Sequence, residues 1–317
     1  MPMIQNRRKF ISTVAAGSIG LPLVSGIQSL IPERKFFKIN LFSKPLDKYD
    51  IDFICECLVN SGIEGIDLTV RKDGKVEPER VDSTLPVLIE KVRRHNLIVE
   101  MIVTGILSAE DPLTDRILKT ASANGIKYYR LGWFEYGGKT GIWETLQKYR
   151  TVLADIAKIN KQYNIHGAYQ NHSGMYIGGP VWDLNELLRD FPPELLGCQY
   201  DVRHAMVEGN DTWPIGMRLI AGHIRTLAIK DFTWITTNAK PHPETVPLGE
   251  GMVDWNLYFK MVKELNINAP ITLHVEYPLL GEGEEKLSLA RQQEIIIKKL
   301  QKDTDFIKSY LKKYQLI

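Results

Sequence analysis

One alternation constrains this chain more than any other feature. From Phe36 onward, short runs rich in β-branched and aromatic residues are each followed by a longer run with a 3.6-residue apolar period. The strand candidates are Phe37–Leu41, Gly65–Leu68, Ile98–Val103, Tyr128–Leu131, Gly167–Asn171, Gly197–Asp201, Thr226–Lys230 and Ile271–Glu276. Between them, Asp52–Asn60 keeps Phe53, Ile54, Cys57 and Leu58 on one side, Leu85–Arg94 and Trp143–Tyr163 repeat that pattern, and a lysine-rich run, Arg291–Tyr314, comes last. The predicted helices stop at Ser61-Gly62, Asn96, Asn124-Gly125 and Asn164, residue types that tolerate left-handed backbone. Strands separated by helices pair in parallel, because the crossover returns the chain to the same edge. Eight such units in about 286 residues leave about 36 residues each, the scale of a (β/α)8 TIM barrel. A doubly wound sheet would place a glycine-rich phosphate loop after the first strand, but Phe42-Ser43-Lys44-Pro45 stands there. No linker or low-complexity tract divides the chain, so a single-domain α/β TIM barrel is expected over residues 32–317.

Residues 1–31 read differently. They hold Arg7, Arg8 and Lys9 and no acid; without them the basic count falls from 40 to 37, against 38 acids. Asn6-Arg7-Arg8-Lys9-Phe10-Ile11, followed by an apolar stretch rich in small residues, looks like a twin-arginine export signal. The expectation is a periplasmic or otherwise exported protein, with membrane contact only through an uncleaved signal. Pro22, Gly26, Gln28 and Ser29 interrupt the stretch and argue against an anchor. The balanced charge of the remainder gives no footprint for nucleic acid. Three cysteines form no disulfide framework: Cys55 and Cys57 point to different helix faces, and Cys198 reads as a buried apolar residue.

In a TIM barrel the active site lies at the carboxyl ends of the strands. Polar residues gather there: Gln170-Asn171-His172, Asp201-Val202-Arg203-His204, Lys230-Asp231, and His274-Val275-Glu276, with Arg71 and Arg130 on earlier strands. The strand period of two puts Gln170 with His172, Ala228 with Lys230, and His274 with Glu276. Polar groups inside such a sheet are costly unless they face a polar cavity or find partners.

These residues, together with Pro247-Leu248-Gly249-Glu250-Gly251-x-Val253-Asp254-Trp255, resemble the xylose-isomerase-like TIM-barrel superfamily of sugar isomerases and epimerases, over roughly Phe36 to Tyr310. The resemblance implies one divalent metal (Mn, Mg or Zn) with four ligands, and no nucleotide cofactor. Carried onto this chain, the ligand positions are Gln170, Asp201, Ala228 and Glu276. A glutamate is usual at the first and a histidine at the third, so only two carboxylates remain. An amide oxygen binds such ions more weakly than a carboxylate, and alanine binds nothing. His172, His204 or His274 can complete a shell, while Lys230 competes as the counter-charge.

The resemblance implies proton abstraction next to a carbonyl of a keto or aldo sugar, which needs a base and a stabilised oxyanion. Glu276 is expected as the base, Lys230 as the oxyanion partner, and His172 or His204 as a second acid/base. Arg71, Arg130, Asn171 and Trp133 are expected substrate contacts, with Tyr136, Trp182, Trp213 and Trp234 as further stacking candidates. Gln170 cannot exchange protons, which disfavours a symmetrical two-carboxylate mechanism. A lyase or deglycosylase of 3-keto-glycosides, or a non-catalytic carbohydrate-binding barrel, are the alternatives. Other residues read as structural. His274 suits a core histidine, Pro247–Trp255 a loop that opens a helix with Asp254 as N-cap, and His95, His223 and His242 surface positions.

Overall fold

The computed structural model describes residues 37–317. The export signal expected in residues 1–31 lies outside the described residues. Eight parallel strands close into a barrel: β1 (Ile39–Phe42), β2 (Gly65–Val70), β3 (Met101–Thr104), β4 (Tyr128–Arg130), β5 (His166–Gln170), β6 (Leu196–Asp201), β7 (Ile224–Ile229) and, closing against β1, β10 (Ile271–Leu273). Between β7 and β10 the chain inserts an antiparallel hairpin, β8 (Asp231–Thr237) and β9 (Lys240–Val246). Every expected barrel strand is present, with shifted ends. The third begins at Met101, and Ile98 makes only a single bridge to Gly65. The last ends at Leu273, so His274 to Glu276 form the exit loop.

Nine α-helices are described: α1 (Ile51–Asn60), α2 (Val81–Arg94), α3 (Pro112–Ala123), α4 (Ile142–Tyr163), α5 (Val181–Leu188), α6 (Val202–Gly209), α7 (Trp213–Ile220), α8 (Trp255–Glu264) and α9 (Leu289–Lys313). Asp50, Asp111 and Asp254 each accept a backbone N–H at the start of α1, α3 and α8. The expected stops hold: Gly62, Asn96, Gly125 and Asn164 all have positive φ. All three cysteines are free and buried, and burial pushes the Cys55 and Cys57 thiols up to about 12. No helix among the described residues is long and apolar enough to cross a membrane.

The strand period of two divides the molecule chemically. Outward residues such as Ile39, Leu41, Ile66, Leu68, Tyr129, Tyr169, Leu227 and Ile271 pack under the helices in one large apolar core. Inside the barrel the apolar cluster is small, Phe42, Met101 and Val103 with Tyr128 against it. The remaining interior is largely polar: Asn40, Asp67, His166, Gln199, Thr226 and Thr272 are all buried there. Asn40 donates to Ile271 O at 3.3 Å. Its side chain leaves room at position 65 only for glycine, since a Cβ there would lie 2.2 Å from Asn40 Oδ1.

Candidate active site

A cleft of about 830 Å³ opens at the carboxyl end of the barrel. Its walls include Phe42, Arg71, Arg130, Trp133, His172 and Glu276 from the barrel, with His242 to Thr245 of β9 on one side. Below the cleft a hydrogen-bonded chain crosses the barrel mouth. Arg130 Nη1 donates to Gln170 Oε1 at 2.9 Å, and Gln170 Nε2 donates to Asp201 Oδ2 at 2.8 Å. Lys230 Nζ lies 3.3 Å from the same Asp201 oxygen and 3.0 Å from Glu276 Oε2. Arg130 is stacked on Trp133, its guanidinium carbon 4.3 Å from the ring centre.

Glu276 is the reachable carboxylate at the barrel's own end of the cleft, Glu244 standing on the hairpin side. Its side chain is 34% exposed, whereas Asp201 is closed off and Lys230 is 2% exposed. Burial alone would raise the Glu276 carboxyl, but the Lys230 ammonium, with His274 and Lys44, outweighs it and holds the group at about 2. Glu276 is therefore ionised throughout the neutral and mildly acidic range.

The hydrogen bonds settle two histidine tautomers. His172 Nδ1 is 2.8 Å from Ser173 O, and a carbonyl only accepts, so Nδ1 carries the proton and Nε2 the lone pair. Burial and then Lys230 lower the His172 pKa, which keeps the ring neutral. At His204 the arrangement is reversed: Ser173 N–H and Arg203 Nη1 both face Nδ1, at 3.2 and 3.0 Å, so the proton sits on Nε2. That nitrogen lies 3.7 Å from Asp201 Oδ2. The two imidazoles are adjacent, with ring centres 4.0 Å apart.

The expected site residues divide into two groups. Arg71, Arg130, Trp133, His172 and Glu276 line the cleft. Lys230, His204, Gln170, Asp201 and His274 lie beneath it, and Lys230 reaches substrate only through the carboxylates it holds. Asn171, expected as a substrate contact, instead clasps strand β6. Its Nδ2 donates to Asp201 O at 2.9 Å and its Oδ1 accepts from Asp201 N at 2.8 Å. His274 is the core histidine, stacked on Phe42 at 4.7 Å. The loop 247–255 is structural, with Asp254 capping α8 as expected. It is organised by Asp231, which accepts from the N–H groups of Phe232, Gly249, Gly251 and Val253 and from Trp255 Nε1. His242, read as a surface residue, reaches the cleft on the unforeseen hairpin. Lys44 and Tyr277 also line it and were not anticipated. The run of β-formers from Phe232 to Thr237, closed by Asn238, was a usable hairpin signal.

This donor set does not fit a divalent metal. Gln170 turns its oxygen to Arg130 and presents N–H to Asp201. Ala228 has no donor atom. The Lys230 ammonium stands between the two carboxylates a cation would need. Of the candidate replacements, His204 faces Asp201 with N–H and His274 is buried against Phe42, so the lone pair on His172 Nε2 is the one imidazole donor they leave. Among the described residues no group of three or more His, Cys, Asp or Glu side chains is placed to hold a metal ion.

Comparison with known proteins agrees with the architecture. Residues 57–299 match the family model described as xylose isomerase-like TIM barrel. No curated protein matches the sequence. Among solved structures, the IolI protein with a binding zinc atom is 16% identical, over 86% of this chain and 99% of that one, with a TM-score of 0.68. The D-allulose 3-epimerase from Methylomonas sp. is 14% identical, over 87% and 99%, with a TM-score of 0.63. The probable 3-DHS dehydratase AsbF from Bacillus anthracis is 16% identical, over 86% and 99%, with a TM-score of 0.64. At these identities the likeness shows fold alone. With three quarters of its length covered by the family model and its eight strands closed in the expected order, this chain belongs to the xylose isomerase-like TIM barrel family.

Proposed function

We propose that the protein is an isomerase or epimerase-type enzyme that removes the proton next to a carbonyl of a sugar and returns it. The observation that carries this reading is the pairing, in one cleft, of an ionised carboxylate, Glu276, with a neutral imidazole, His172. The two have separate tasks. Glu276 takes the C–H proton and returns it to the neighbouring carbon. His172 Nε2, with its lone pair free, accepts a hydroxyl proton and returns it to the adjacent oxygen, so the enediol rearranges with all protons accounted for. The oxyanion that develops between these steps meets Lys44, which lines the cleft near enough to Glu276 to act on its carboxyl. Lys230 acts through Glu276 and Asp201 as a positioning residue. No step needs a metal.

The size of the cleft supports a second reading on the same machinery. About 830 Å³ is the scale of sites for ligands larger than one hexose. A 3-keto-glycoside fits that size: Glu276 removes the proton next to the ketone, and the aglycone leaves from the adjacent carbon with its bonding electrons, protonated by solvent or an acid. The export signal read in residues 1–31 is part of this proposal, since an exported enzyme meets glycosides more readily than phosphorylated sugars.

The test is incubation in D₂O with free sugars, keto-sugars and 3-keto-glycosides, followed by NMR. Deuterium at a carbon next to a carbonyl without aglycone release is the result expected of an isomerase or epimerase. Aglycone release selects the lyase. Binding with no exchange in any substrate overturns both and leaves a carbohydrate-binding barrel.

A further inference from the structure

We propose that this cleft selects a sugar acid, and that the carboxylate of the substrate is held between Arg71 and Arg130. The inference rests on the reading of the cleft as the substrate site and names its substrate class.

Two guanidinium groups converge on one wall. The Arg71 and Arg130 guanidinium carbons lie 5.8 and 5.6 Å from the centre of the same Phe42 ring. Neither forms an ion pair within 4 Å with any described residue. Among the described residues, the one side-chain hydrogen bond of Arg130 goes to a neutral amide oxygen, Gln170 Oε1. Its Nε is buried with no partner among the described residues, and so is Nε1 of the Trp133 on which it stacks. A buried guanidinium without a carboxylate is expensive, and an N–H left unsatisfied adds to that cost. Burial and the nearby Arg71 together pull the Arg130 pKa down to about 9, against the smaller upward pull of Glu276, Asp201 and Asp67.

Stacking on Trp133 explains where the Arg130 side chain rests, but a ring face does not neutralise two cations. Nor do the cleft's own acids. Lys44 lines the same cleft and also has no ion pair among the described residues. Against these three cations stand Glu276 and Glu244, and Glu276 is already engaged by Lys230. Deeper down, Lys230 and Asp201 offset one another, and Arg203, which donates to Pro243 O, adds a further positive charge. One positive charge is left over at the wall. A monoanion balances it, and a planar carboxylate matches the guanidinium fork with two parallel N–H···O bonds. A phosphate dianion would overshoot the charge at the wall.

Calorimetric titration of the full chain at low salt tests the assignment without requiring turnover. D-Gluconate and D-glucuronate are compared with their neutral counterparts D-glucitol and D-glucose, and with glucose 6-phosphate. The acids are expected to bind at least ~10-fold more tightly than the neutral partners, and more tightly than the phosphate ester. Arg71→Gln, at a half-buried cleft position, should abolish that preference and leave the neutral sugars within about twofold, while Arg71→Lys should restore part of it. Circular dichroism and Tm establish that both variants fold. Equal binding of acid and neutral sugar, absence of acid binding, or tighter binding of the phosphate ester each overturns the assignment. Acid-selective binding without deuterium exchange would instead overturn the enzymatic reading and leave this one standing.

Discussion

One ammonium serves two carboxylates: Lys230 Nζ is 3.0 Å from Glu276 Oε2 and 3.3 Å from Asp201 Oδ2, on a side chain with 2% exposure. Glu276 is held below its usual 4.5, against the upward push of burial, chiefly by this contact. The sign of the linkage follows. The stabilisation is fully present above pH 4.5 and is lost as pH falls through about 2. Lys230→Met removes the contact and leaves burial as the dominant influence, so the Glu276 pKa rises above 4.5. The acid limb of the pH–rate profile should move upward in the variant, and Tm should fall more at neutral pH than at pH 3.

Glu276→Gln keeps shape and hydrogen-bonding capacity but cannot accept a proton. Exchange of the substrate C–H proton should fall by at least about 100-fold, with sugar binding retained. His172→Asn tests the other partner. Because the neutral ring moves protons between oxygens, this variant should slow isomerisation while leaving deuterium exchange at carbon measurable. A single-turnover experiment in D₂O separates the two steps.

Asp231 takes five N–H donors and, among the described residues, no cation, and it fastens the loop 247–255 to the start of β8. Asp231→Asn turns one acceptor into a donor that opposes those N–H groups. A loss on the order of 1–3 kcal/mol is expected in chemical denaturation. Gly251→Ala should do comparable harm, since its Cβ would lie 2.2 Å from Asp231 Oδ1.

The barrel itself was legible because its strands and helices obey different periods, and because asparagine and glycine mark the helix stops. The carboxyl-end polar residues were legible too, since a buried strand ends in Gln170-Asn171-His172 or Asp201-x-x-His204 only where a polar cavity or built-in partners receive them. Which of them reach the cleft was not. His172 and Lys230 are both on inward phases, yet one lines the cleft and the other is sealed under Glu276. Depth depends on what lies above, and strand period carries no such information. Gln170 shows the same gap. Its amide orientation is set by Arg130 on the neighbouring strand, a contact 40 residues away in sequence. The hairpin escaped because its turn is Asn238-Ala239, both at positive φ, where glycine would have announced it.

The cation position between Asp201 and Glu276 can be tested by rebuilding it. Wild-type activity should survive exhaustive chelation, because Lys230 already supplies the charge. Gln170→Glu with Ala228→His replaces an amide and a methyl by two ligating groups on the same inward faces. Adding Lys230→Met to that pair removes the competing ammonium. The triple variant should bind one equivalent of Zn²⁺ or Mn²⁺ by titration, and the double variant should bind more weakly. Metal-dependent activity in the wild type would show that Lys230 moves aside in solution.

Deeper in the barrel, Asp67 gives a pH dependence of the opposite sign. It is fully buried, accepts the Thr272 hydroxyl at 2.5 Å, and its other oxygen has no partner among the described residues. Burial raises its pKa from 3.8 to about 8, with Thr272 opposing and Glu100 reinforcing the rise. A raised pKa means that the folded state holds the proton more tightly. The stability linked to Asp67 is therefore full below pH 3.8, declines as pH rises, and is lost as pH passes through about 8. Asp67→Asn imitates the protonated acid and cannot ionise, and its amide oxygen still accepts from Thr272. Its Tm should differ little from wild type below pH 3.8 and exceed it at pH 9, with the curves diverging between pH 3.8 and about 8. Parallel curves would show that Asp67 is ionised in the folded barrel, with the nearby Arg130 as the cation that stabilises it.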